Sequence, residues 1–143
     1  MTTPTHWRKI LVSTDFSDAS LAALREARCV QQLTQAEVVL VHVTKPAFDG
    51  LRVHTGGDHH EIQTAARQQL ESLAKAHFPD ELVISTLVKD GQAGEVICDL
   101  ARNLKADVIF IATHGVSAVK HLMLGSVVEN VVRHAPCSVL VVR

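Results

Sequence analysis

Five short aliphatic runs, the first four each followed by a helix-like stretch, most constrain what this chain can fold into. They are Lys9–Ser13, Val38–Val43, Leu82–Val88, Val108–Ile111 and Val139–Val142. Runs nearly unbroken in Val, Ile and Leu suit strands of a parallel sheet buried on both faces. Ser85 and Thr86 make the third run the least apolar, which suggests a sheet edge. The intervening segments carry apolar residues at helical spacing. Ser17 offers an N-cap and Asp18 a favourable first-turn charge ahead of Ala23, Leu24, Ala27 and Val30. Asp58 and Glu61 have the spacing of a capping box before a stripe of Ile62, Ala65, Ala66, Leu70 and Leu73. Gly91 and Gly94 punctuate the entry to a third helix, whose Val96, Ile97, Leu100, Ala101 and Leu104 face a core. A fourth helix bears Val127, Val128, Val131 and Val132. Strand–helix alternation carried to the end predicts one α/β domain over residues 1–143, with an open parallel sheet. Right-handed crossovers then place helices on both faces.

Composition agrees and narrows the function. Hydrophobic residues make up 47% of the chain and aromatics only 3%, so the apolar content is aliphatic. Lys and Arg total 14 against 15 Asp and Glu, which argues against a basic nucleic-acid-binding surface. No apolar stretch approaches the roughly 18 residues of a membrane span. The polar N-terminus has no signal-peptide core, so a cytoplasmic protein is expected. Cys29, Cys98 and Cys137 form neither a disulfide framework nor a zinc pattern and are expected to be small buried hydrophobes.

Open α/β sheets bind ligands beyond the carboxyl ends of their strands. The chemistry is therefore sought in Ser13-Thr14-Asp15-Phe16-Ser17, in Val43-Thr44, and in Ala112-Thr113-His114-Gly115 with Gly125-Ser126 further on. Gly115 allows close approach of an anion to the backbone, and Gly125-Ser126 opens a helix with free N–H groups at its positive end. Asp15 is placed to accept from ribose hydroxyls. Each feature has a plainer reading: the glycines only make turns, and Asp15 is only a helix cap or turn residue.

Ala112-x2-Gly115-x9-Gly125-Ser126 resembles the Gly-x2-Gly-x9-Gly-Ser/Thr signature of the universal stress protein family, in its ATP-binding branch. Lys9–Val12 followed by Thr14-Asp15-Phe16-Ser17 resembles the family's opening strand and turn. Val41-His42-Val43 resembles its second strand and Pro136–Arg143 its closing one. The resemblance implies a Rossmann-like sheet of five parallel strands in the order 3-2-1-4-5. It implies that Asp15 contacts ribose, that Val43 offers backbone hydrogen bonds to adenine, and that Ser13 and Thr14 line the base or sugar pocket. Ile111, Ala112, Gly115, Gly125, Ser126 and Val127 would surround the phosphates of ATP, taken alone or with Mg2+. A homodimer through Val139–Val142 is implied as well, and an aliphatic edge strand is itself a reason for pairing. Ala112 departs from the signature's first glycine: it keeps the backbone donor but adds a methyl group and disfavours positive φ. The implied role is regulatory, with an unidentified protein partner. The rivals are a slow ATPase or other adenine-nucleotide hydrolase, and an interaction module without nucleotide.

Other residues tempt less. Asp58-His59-His60-Glu61 is expected to be a solvated helix start, because adjacent helical residues diverge instead of converging on an ion. His42 is expected to be a satisfied core histidine. His114, Lys120 and His121 lie in the signature loop, where they can approach phosphate or simply be solvated. No Ser-His-Asp or Cys-His arrangement can be argued, because Ser13, Ser17 and Ser126 have no identifiable base. Thr44–Gly57 is the one long connection.

Overall fold

The computed structural model describes residues 7–45, 56–78, 84–114 and 124–143. The elements are β1 (Lys9–Ser13), α1 (Asp18–Thr34), β2 (Glu37–Thr44), α2 (Gly56–His77), β3 (Ile84–Asp90), α3 (Ala93–Leu104), β4 (Val108–Ala112), α4 (Ser126–His134) and β5 (Ser138–Val142). All five strands are parallel, in the order β3-β2-β1-β4-β5.

Alternation along the strands sorts the aliphatic residues into two cores. Ile10, Val12, Val38, Leu40, Val108, Phe110 and Ala112 face α1 and α2, where they meet Leu24, Ala27 and Leu70. Leu11, Val39, Val41, Ile109 and Ile111 face α3 and α4, where they meet Ile97, Ala101, Val128 and Val131. Both faces of the central strands are thus sealed, which is why their sequences read as continuous runs. The carboxylate of Asp107 accepts from the backbone N–H groups of Arg8 (2.8 Å) and Lys9 (2.9 Å), tying the entrance of β4 to that of β1.

Local chemistry explains the element ends. Ser17 caps α1, its hydroxyl accepting from Ser20 N–H at 3.3 Å. Gln35 and Lys105 close α1 and α3 in the left-handed conformation at φ 58° and 55°. Gly91, at φ 138°, makes the turn from β3 into α3, and a Cβ there would stand 2.8 Å from Val96. A Cβ on Gly94 would stand 2.8 Å from the Asn130 side chain, so α3 and α4 touch through a residue without a side chain.

Some local expectations are corrected. The helix containing Asp58 starts at Gly56, so Asp58 lies inside its first turn and is not the N-cap of a box with Glu61. The buried stripe of α2 is Ala66, Leu70 and Ala74, flanked by half-buried Leu73; Ile62 (48% exposed) and Ala65 face solvent. β3 continues beyond Val88 to Asp90 because β2 offers partners as far as Thr44. Cys29 is exposed, since α1 buries Ser20, Ala23, Leu24, Ala27 and Gln31 on the opposite side. Cys98 is buried and Cys137 half-buried. On α4, Val128 and Val131 are buried while Val132 is 48% exposed.

Candidate functional site

The cleft lies where β1 leaves the sheet. The β1–β2 ladder ends at Ser13↔Val41, and Thr14 N–H then bonds Val41 C=O at 2.9 Å. β2 runs on to Thr44 and β4 on to Ala112, each held by its outer neighbour. A gap therefore opens between β2 and β4 above the end of β1. The crossover helices change face at the same place, α1 packing on one side and α4 on the other. This is the switch point at which open α/β sheets bind ligands. The cleft measures about 320 Å3, within the range of small-molecule sites.

Its walls follow from strand geometry. Backbone polar groups alternate sides along a strand. Val41 C=O faces β1 and Thr44 C=O faces β3, where it accepts from Gly91 N–H at 3.1 Å. Val43 N–H and C=O accordingly face the side that β1 has vacated. Ser13, Val41, Val43 and Ile111 all line the cleft, together with Ile97 and Val128.

The turn after β1 is fixed by its own side chains. Asp15 Oδ1 accepts from Ser17 N–H at 3.0 Å and from the Ser17 hydroxyl. Thr14 Oγ1 accepts from Phe16 N–H at 3.0 Å and shares a 2.8 Å hydrogen bond with Ser20 Oγ. Phe16 sits at φ 65°, a conformation that costs an L-residue roughly 1–2 kcal/mol. Its ring lies 4.4 Å from that of His42, whose Nδ1 is 2.8 Å from Thr14 C=O. His42 is thus hydrogen-bonded but only half-buried, at a sheet end and not in the core. Asp15 acts in the turn, where Ser17 is the N-cap of α1, and it also lines the cleft.

The opposite wall is two helix starts. Gly125 precedes α4 and Gln92 precedes α3, and neither start has a side-chain cap. Ser126, Val127 and Val128 of α4, and Ala93 of α3, line the cleft, so first-turn N–H donors without an intrahelical partner and positive dipole ends border it. Gly125 has φ −59°, and among the described residues a Cβ there would meet nothing closer than 3.5 Å. Neither its backbone conformation nor crowding by the described residues demands a glycine at this position. Its N–H bonds Thr113 C=O at 2.9 Å.

Ser13, Thr14, Asp15, Val43, Ile111, Ala112, Gly125, Ser126 and Val127 come together around one cleft; Gly115, Lys120 and His121 lie outside the described residues. Ala112 is extended, pairs with Val142, and belongs to the core on the α1/α2 face, away from the face carrying the cleft's apolar wall. Its methyl group is therefore accommodated without strain. His114 also lines the cleft, its Nδ1 3.0 Å from Thr113 Oγ1.

A polar cluster beyond one end of the cleft was not legible in the sequence. The Asp90 carboxylate accepts from the Thr44 hydroxyl, from Gln63 Nε2 at 2.7 Å and pairs with His59 Nε2 at 2.8 Å. These hydrogen bonds, and the facing His59, hold Asp90 below its ordinary pKa against the opposing effect of burial, the largest single influence. His59 is thus engaged by the protein, where a solvated helix start was expected. Thr44 bonds the carboxylate and not the imidazole, so the cluster is no nucleophile–base pair. Burial pushes the Cys98 and Cys137 thiols up, away from reactive thiolates. Among the described residues, no three His, Cys, Asp or Glu side chains converge as a metal site. Among them, too, no helix is long and apolar enough to cross a membrane.

The model of the universal stress protein family matches residues 6–143. This chain belongs to the universal stress protein family. A universal stress protein of Thermus aquaticus is 32% identical over 139 residues, covering 96% of this chain and 99% of that one. The solved structure of protein MJ0577 of Methanocaldococcus jannaschii is 28% identical, with a TM-score of 0.86 over 96% of both chains. A universal stress protein solved in complex with cAMP is 26% identical, with a TM-score of 0.70 over 97% of this chain and 98% of that chain.

Proposed function

We propose that this universal stress protein binds ATP or a related adenine nucleotide as one domain spanning residues 1–143 and acts as a dimeric, cytoplasmic regulator. The observation that carries the reading is the convergence of three ligand-matched surfaces on one cleft. Val43 presents backbone N–H and C=O groups of the kind that read a base edge. Asp15 presents a carboxylate suited to ribose hydroxyls. The uncapped start of α4, with Gly125 and Ser126, presents donors suited to phosphate. The relative solved with cAMP supports an adenine nucleotide in this fold. Gly115 would complete the phosphate loop. Mg2+ would be carried in on the triphosphate, with Asp15 as the cleft's carboxylate. Occupancy would bias a conformation that a protein partner reads.

Titration of the purified chain with ATP and Mg2+ tests this directly. Heat on binding is expected, with stabilisation of about 2.7 kcal/mol at a hundredfold excess over Kd. No heat and no thermal shift at millimolar ATP would overturn it. The dimer is proposed through β5, the last strand of the sheet, whose Val139, Leu140 and Val141 are half-buried. Val141→Glu is expected to give monomer or precipitate by sedimentation analysis; an intact dimer would place the interface elsewhere.

A further inference from the structure

The Asp90 cluster sits outside the ligand-lining residues, yet it grips both sides of one end of the cleft. Thr44, which follows Val43, is held through both its side chain and its backbone, its hydroxyl also lying 3.3 Å from Lys89 C=O. Its hydroxyl donates to the Asp90 carboxylate, and its carbonyl accepts from Gly91 N–H at 3.1 Å. The backbone beyond Gly91 leads through the φ 138° turn to Ala93, which lines the cleft opposite Val43. From the other layer, His59 and Gln63 stand one helical turn apart on α2 and reach the same carboxylate at 2.8 and 2.7 Å. One side chain thus joins the end of β2, the β3–α3 turn and the first turns of α2.

We infer that Asp90 is a positioning residue for the base end of the cleft: it sets the height of Val43's backbone groups and couples α2 to ligand occupancy. This rests on the nucleotide reading above and extends it. A base that hydrogen-bonds Val43 draws on the Thr44–Asp90 contact, and His59 and Gln63 transmit the same constraint to α2. The phosphate end, built from α4, lies outside this linkage. The consequence is a division within one ligand. Recognition of the base depends on Asp90, and recognition of the polyphosphate does not.

The experiment compares ATP with inorganic tripolyphosphate on the full chain by calorimetry. Asp90→Ala is expected to weaken ATP about tenfold and to change tripolyphosphate by less than about twofold. Asp90→Asn, which keeps an acceptor for Thr44, is expected to restore most of the ATP affinity. A folded Asp90→Ala chain that binds both probes like wild type overturns the inference, and so does one that loses both equally. Should Asp90→Ala fail to fold, the double variant His59→Ala, Gln63→Ala frees α2 while leaving Thr44 on Asp90. ATP is expected to slow amide exchange in the first turns of α2 in wild type but not in this variant; equal protection in both overturns the coupling. A wild-type chain that binds no ATP defeats the nucleotide reading itself, whereas ATP binding indifferent to Asp90 defeats only this inference.

Discussion

Two helix starts face each other across the cleft and are built in opposite ways. α1 consumes its own donors: Ser17 accepts from Ser20 N–H, and Asp15, Thr14 and Ser20 weave the preceding turn into a closed set of hydrogen bonds. α4 starts at a glycine, which offers no side-chain cap to its first amides. An uncapped helix end is ordinarily destabilising, since a cap contributes about 1 kcal/mol. The contrast locates stability on one wall and receptivity on the other.

The contrast can be broken from either side. Gly125→Val should have the largest effect: about a hundredfold loss of ATP affinity, ~2.8 kcal/mol, by calorimetry. The described residues leave room for the first added carbon, so the chain should stay folded. An unchanged Kd would reduce Gly125 to a turn residue. Ser17→Ala should lower stability by about 1 kcal/mol in denaturant unfolding, because it removes both the cap and a partner of Asp15. Ser126→Asp should act in opposite directions on the two properties. A carboxylate at the start of α4 should add about 0.5 kcal/mol of stability through the helix dipole, while repelling phosphate. If affinity and stability rise together, the ligand's anionic end lies elsewhere.

The smallest effect concerns Asp90. Its folded pKa is lowered from 3.8, so its contribution to stability is present above that value and is lost as pH falls through the folded pKa. Asp90→Asn should flatten that part of the acid-unfolding curve. An identical curve would show that the carboxylate contributes nothing through its charge.

Much of this was legible in sequence because it depends on near neighbours. Strand runs, the Ser17 cap and the residues after β1, β2 and β4 are local patterns, and parallel alternation brings those strand ends together. The Asp90 cluster was not legible, because its partners stand 46, 31 and 27 residues away and meet only through strand register and helix docking. The start of α2 was misread for a related reason. Asp58 and Glu61 have capping-box spacing, but the helix begins two residues before Asp58 and turns Ile62 and Ala65 outward. Cys29 shows that residue type alone does not decide burial; its angular position on α1 does.

The contact between Gly94 and Asn130 makes a ruler of the two uncapped helices. A Cβ at position 94 would stand 2.8 Å from Asn130, so any side chain there must displace Asn130 or move the two helices apart. The separation of the two helices whose starts line the cleft is therefore calibrated by an absent side chain. A ligand that needed a narrower gap between these two helix starts would meet a contact that is already closed.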